Sequence, residues 1–218
     1  MKKRILLIVI LVILIALIFL LYTQQNNIKG IFYSFKYSSE QIENMISETD
    51  DNLKKDLEKF IGHSIRDFTY EENLQIEQGA VTKEQIIEKI VLEELQKKET
   101  SLNSKGDNDV SYHITSLYNL KNEYIGKLDS MVASAVAEYK KLDKSEKTRS
   151  KQLEIGAAYA KKAMALESEC DAKVGRVISE IESILKKTNQ NTEIISTIKN
   201  AYASEKTLKR AYYLNMFK

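Results

Sequence analysis

The chain has 218 residues, with 33 basic and 31 acidic side chains, a formal charge of +2, one cysteine and neither proline nor tryptophan. That near-balance excludes the basic excess by which a nucleic-acid-binding domain shows itself, and a lone cysteine excludes an internal disulfide framework. Without its main breaker, and rich in Lys, Glu, Ile, Leu and Ala, the sequence is expected to be helical throughout.

The first stretch, Ile5 to Tyr22, is almost wholly Ile, Leu and Val and carries no charge. As a helix it would measure about 27 Å, close to the ~30 Å hydrocarbon core of a bilayer. Its exit, Leu20-Leu21-Tyr22-Thr23, lacks the small-residue pair of a signal-peptidase site, and no cysteine follows to take a lipid. Residues 1–27 are therefore expected to be an uncleaved signal-anchor, with the lipid bilayer as the partner of Ile5–Tyr22. Lys2, Lys3 and Arg4 predict a cytoplasmic N-terminus, a single pass of the plasma membrane and an extracytoplasmic body. Lys29 and Lys36 on the far flank weaken that bias without reversing it. The first four residues hold three of the 33 basic groups and none of the 31 acidic ones, so the body carries 30 against 31, or −1.

Residues 28–98 are expected to form a membrane-proximal helical subdomain. Its first ten residues, Ile28 to Tyr37, are aromatic-rich and suit a collar at the headgroup level; a docking segment for a neighbouring protein is the sharper alternative. Ser39 is the expected cap of a helix over 41–60, whose acidic surplus reads as a solvated face. Gly62 should end it. Thr69-x-x-Glu72 and Thr82-x-x-Gln85 both fit the capping box, which predicts short helices over 70–78 and 83–98 with a turn at Gly79.

Residues 99–109 are small, polar and turn-forming, the clearest linker in the chain. Beyond them, 110–218 is expected to be an elongated antiparallel three-helix bundle, with helices over about 111–142, 146–188 and 192–216. On the first, Leu117, Leu120, Tyr124, Leu128, Met131, Ala135, Tyr139 and Leu142 recur at three- and four-residue spacing. On the second, Leu153, Gly156, Ala160, Ala163, Leu166, Cys170, Val174, Val177, Ile181 and Ile184 do the same; on the third, Ile195, Ile198, Tyr202, Leu208 and Tyr212. Apolar stripes of this kind must be buried, against each other or against a partner.

A search for chemistry finds little. His63 stands four before Asp67 and His113 four after Asp109, spacings that let each pair meet along one helical turn. One carboxylate beside one histidine is neither a triad nor a metal site, and no HExxH or ExxH set is present. Cys170 falls in the apolar register of its helix and is expected as a buried thiol, with an intermolecular disulfide as the alternative. Tyr112, Tyr118, Tyr124, Tyr139, Tyr159, Tyr202, Tyr212 and Tyr213 fall half on the stripes, as core with a polar tip, rather than on a glycan platform. The turn from Lys140 to Lys151 carries six cations against Asp143 and Glu146 and reads as a solvated loop, with anionic lipid as the other reading. No phosphate-binding glycine loop or nucleophile elbow occurs. No catalytic, cofactor-binding or metal-ligating residue is assigned, and no small-molecule ligand is expected. A wall hydrolase would need two carboxylates brought into one cleft by tertiary structure.

The expectation is thus an all-α, single-pass membrane-anchored interaction or scaffold protein of the cell envelope, without catalysis of its own. Its helix faces would take a protein partner or a second copy. The alternative is a sensor or accessory subunit regulating an envelope enzyme or transporter.

Overall fold

The computed structural model describes residues 25–96 and 105–216. Those residues are all-α, seven helices with no strand among them: α1 (Gln25–Lys36), α2 (Ser39–Ile61), α3 (Tyr70–Glu77), α4 (Lys83–Gln96), α5 (Lys105–Lys141), α6 (Arg149–Lys187) and α7 (Glu193–Met216). Ile5–Tyr22 lies outside the described residues, and among those described no helix is long and apolar enough to cross a membrane.

Local chemistry sets most boundaries. Three helices open with reciprocal capping, in which a hydroxyl accepts from the third amide of the helix and a carboxylate or amide side chain reaches back. Thr69 and Glu72 do this for α3, and Thr82 and Gln85 for α4. For α2 the pair is Ser38 and Gln41, at 3.2 and 2.9 Å. The cap therefore stands one residue before Ser39, because only Ser38 sits three before a glutamine. Gly62 and Gly79 end α2 and α3 with φ of 75° and 70°, the left-handed region that a side chain disfavours. Asn189, at φ 53°, does the same after α6.

Contacts divide the chain into two compact units, one of residues 1–52 with 199–218 and one of residues 53–198, with the divisions falling inside α2 and α7. In the first, Ile42, Leu208 and Ala211 form a small core, with Tyr33, Tyr37, Met45, Ile46 and Tyr212 packed around it. Gly30 lets α1 approach α7 closely: a Cβ there would stand 3.2 Å from the Thr207 carbonyl oxygen and 3.3 Å from Arg210 Cβ. The Asn215 amide donates to the Tyr37 carbonyl at 3.1 Å, holding the end of α7 to the residue just after α1.

In the second unit α5 and α6 pack along one another, and α4 lies on α5. His113 meets Glu180 and Tyr124 meets Glu169, so an advance of eleven residues on α5 is a retreat of eleven on α6. That is an antiparallel register. Leu57, Ile65, Ile90, Ile114, Ile181, Leu185 and Ile198 are the unit's largest fully buried apolar side chains. Ile86, Ile87, Ile90 and Val91 give α4 its buried face.

Two expectations change here. Of the linker over 99–109, residues 105–109 are the opening of α5, and residues 99–104 lie outside the described residues. The three long helices were expected in one bundle over 110–218, but from Lys199 onward α7 belongs with α1 and the first part of α2. Leu208 and Ala211 find their apolar partner in Ile42, far away in sequence, which no local spacing announces.

Candidate interaction surface

The residues singled out for chemistry are held apart. His63 is buried, its Nδ1 3.1 Å from the Ser64 carbonyl oxygen and its Nε2 enclosed without a hydrogen-bond partner. Asp67, expected beside it, instead accepts from the Asn122 side chain of α5. His113 turns across the hairpin, its Nδ1 3.3 Å from Glu180 of α6. Cys170 is a buried thiol outside any disulfide, on the α6 face turned to α5.

Near His63 a depression of about 530 Å³ is lined by Lys55, Glu58, Lys59, Gly62, Ser64 and Glu94. Two carboxylates, Glu58 and Glu94, are among its lining residues, yet Glu58 Oε1 already accepts the Ile65 amide at 2.9 Å. Two lysines are set against two carboxylates and the carbonyl end of α2, so no net field favours an anion. Among the described residues no group of three or more His, Cys, Asp or Glu side chains could hold a metal ion.

The polar interactions of the second unit tie helices together. Arg66 grips Glu72 through both guanidinium nitrogens at 2.8 Å, and the Thr69 amide donates to the same carboxylate. The Arg66 hydrogen bonds outweigh the cost of burial, and with the Thr69 amide they hold the Glu72 carboxyl down at about 2. On the hairpin, the Tyr124 hydroxyl donates to Glu169 at 2.7 Å, and Lys173 reaches Glu169 at 2.9 Å. Burial first, then the Glu169 carboxylate, pushes the Tyr124 phenol up. The bond to Glu169 likewise raises Lys173. Lys127 lies over the Tyr124 ring, 4.8 Å from its centre, and pairs with Glu123, which Lys83 of α4 also reaches. These groups stitch α4, α5 and α6 into one body.

Past this stitch the hairpin thins. Between Tyr124 on α5 and Leu166 on α6, only Ala135 and Ile155 are buried. The α6 seam toward α5 runs through Ile155, Leu166, Cys170, Val174, Ile178, Ile181 and Leu185. Leu153 and Ala160, expected on that seam, are exposed instead. The reason is that α6 is apolar on two sides. Leu153, Ala157, Ala160 and Met164, spaced four, three and four, make a second stripe that faces outward. Leu153 is 59 % and Met164 70 % exposed, and Val136 on α5 is 37 % exposed. Glu154 and Lys161 edge the stripe on one side, Arg149 and Glu167 on the other, by their positions on the helix.

A 4-3-4 apolar row with mixed charge along both edges is the surface that a second helix packs into. It offers no phosphate-sized basic field and no catalytic group. No family model, curated protein or solved structure matches the chain.

Proposed function

We propose that the chain is a single-pass, membrane-anchored helical interaction protein of the cell envelope. In this reading Ile5–Tyr22 holds it in the plasma membrane with its N-terminus cytoplasmic, and the α5–α6 hairpin presents a helix-binding row on the other side. The observation that carries the reading is the outward stripe of Leu153, Ala157, Ala160 and Met164 on a hairpin arm that buries almost nothing of its own. Long apolar side chains held in water on a regular helical row gain by being covered. The mixed rim charges suit a protein helix better than a polyanion.

Site-specific photocross-linking tests this. A benzophenone side chain at position 164 of the full chain, irradiated in membranes, should give one discrete adduct. The same group at Ala158, exposed but turned away from the stripe, should give none. A cross-link between two copies identifies a homo-oligomer, and a cross-link to another polypeptide identifies a scaffold for a different protein. Monomer alone from position 164, in native membranes, sinks the reading.

A further inference from the structure

Helix α1 carries a second unclosed surface, and its surroundings say what covers it. Gly30 and Ser34 are buried, and Tyr33 and Tyr37 pack on the core that α7 completes. On the other side Ile31, Phe32 and Phe35 are 48, 58 and 78 % exposed. At about 100° per residue these three lie within roughly one quarter to one third of the helix circumference. Lys29 and Lys36, both exposed, stand at the edge of that arc, with Lys36 Nζ 5.9 Å from the centre of the Phe32 ring. An exposed arc of Ile and Phe bordered by lysine is the face that an interfacial helix lays into the headgroup–acyl boundary.

Chain length fixes how near that boundary must be. The apolar segment ends at Tyr22 and α1 begins at Gln25, so only Thr23 and Gln24 intervene. From Tyr22 to Gln25 is three residue steps, which span at most about 10–11 Å. The headgroup layer on one side of a bilayer is only about 5–8 Å deep. A helix of 12 residues is about 18 Å long. If α1 stood upright on the end of the span, Phe35 would rise through the headgroups into water. Lying along the surface, it places all three side chains at one depth.

We propose that α1 lies flat on the bilayer, with Ile31, Phe32 and Phe35 set among the lipid headgroups and Lys29 and Lys36 toward anionic phosphates. This rests on the tether assigned to Ile5–Tyr22 above, and deepens it by fixing how the body meets the membrane. The surface is a lipid contact, distinct from the protein-binding row on α6.

The absence of tryptophan makes a clean test. The full chain is reconstituted in phosphatidylcholine–phosphatidylglycerol vesicles as F35W, and separately as F19W to report on the tether. The expected result is loss of most F35W emission to lipids brominated near the carbonyl groups, a blue shift against the detergent-free aqueous fluorophore, and shielding from aqueous iodide. F19W, about 8 Å from the midplane of a span centred between Ile13 and Leu14, should be quenched by lipids brominated in the upper part of the acyl chain. If F19W is quenched so but F35W answers to iodide and ignores bromolipid, the proposal is overturned and the tether stands. An unquenched F19W removes the tether and the proposal with it. Iodide shielding of F35W that grows with protein-to-lipid ratio, without bromolipid quenching, assigns the face to a second copy. Shielding found only in native membranes assigns it to another protein, and either result overturns the lipid contact.

Discussion

Replacing both long side chains of the outward α6 row, Leu153 and Met164, by alanine separates interface from fold. Burying a Leu or Met side chain completely is worth about 2 kcal/mol. Leu153 is 59 % and Met164 70 % exposed, so covering what remains open gains about 1.2 and 1.4 kcal/mol respectively. Alanine keeps a methyl group, which leaves a loss of about 2 kcal/mol, or about 30-fold in dissociation constant. Alanine is at least as good a helix former as either residue, so α6 itself should be unharmed. The readout is the protein-to-lipid ratio, or partner level, at which half of the position-164 adduct forms, with the probe moved to Ala160 in the double variant. Thermal unfolding by circular dichroism is followed alongside. The midpoint should move about 30-fold while the melting temperature stays put, whereas Ile155→Ala, on the buried seam, should lower the melt by the equivalent of about 2–5 kcal/mol. An unmoved midpoint refutes the assignment of the stripe to a partner. A destabilised double variant refutes it differently, by showing that the row belongs to the fold.

Other consequences follow from single contacts. Glu72 has a folded-state pKa of about 2 against an ordinary 4.5; depressed in the folded state, it stabilises fully above about pH 4.5, and that contribution fades as pH falls toward 2. The raw shift is near 3 kcal/mol, but Arg66 is a third exposed, and screening brings it to about 1–2 kcal/mol; Glu72→Gln should cost that much at neutral pH and about a quarter of it near pH 2.5 in urea titrations, and a cost independent of pH would refute the ion pair. Gly30→Val should destabilise the α1–α7 crossing by about 1–3 kcal/mol, since its Cβ would press on the Thr207 carbonyl, while Gly30→Ala should lose less because helix propensity returns up to about 1 kcal/mol; a wild-type melt for the valine variant would mean that the crossing is not formed. A C-terminal epitope tag should be removed by protease added to intact cells, as the topology proposed from Lys2, Lys3 and Arg4 predicts, and a tag protected until lysis would reverse that topology.

What the sequence made legible was the local part of the structure. Thr69 with Glu72 and Thr82 with Gln85 announce their helices because each capping box is complete within four residues. Gly62 and Gly79 mark ends for the same reason, since a left-handed turn is a property of one residue. The all-α class rests on composition and on the long three–four spacing. What escaped was non-local. Nothing within Ile28 to Tyr37 announces that Gly30 and Tyr33 find their cover on α7. His113 takes Glu180 across the hairpin rather than Asp109 along its own helix. On α6 two rows compete, Leu153-Ala157-Ala160-Met164 and Ile155-Tyr159-Ala163-Leu166, and both keep helical spacing. Alanine and glycine are so frequent there that periodicity cannot choose between them; only the register set by Tyr124–Glu169 does.

That double apolar character bears on how the arm behaves alone. From Leu166 to Leu185 the hairpin has a seam on α5, is roofed near its other end by α4, and is pinned by the Tyr124, Glu169 and Lys173 group. From Leu128 round to Ala165 it has two buried residues and exposed lysines at the turn, and among the described residues no third helix packs along it as α4 does on α5. Two helices pairing along one seam bury too little to offset the entropy of ordering them, which is why helical stability usually comes from packing on several sides. Amide hydrogen exchange on the isolated full chain should therefore be faster through 128–165 than through 166–185, by a factor of ten or more if the local opening energies differ by about 1.4 kcal/mol. Occupation of the outward row by a partner helix supplies the missing side, and protection through 128–165 should then rise toward that of the pinned half. Equal protection of the two halves in the monomer would mean that the arm is complete as a pair, and the exposed row would lose its reason to recruit a third helix.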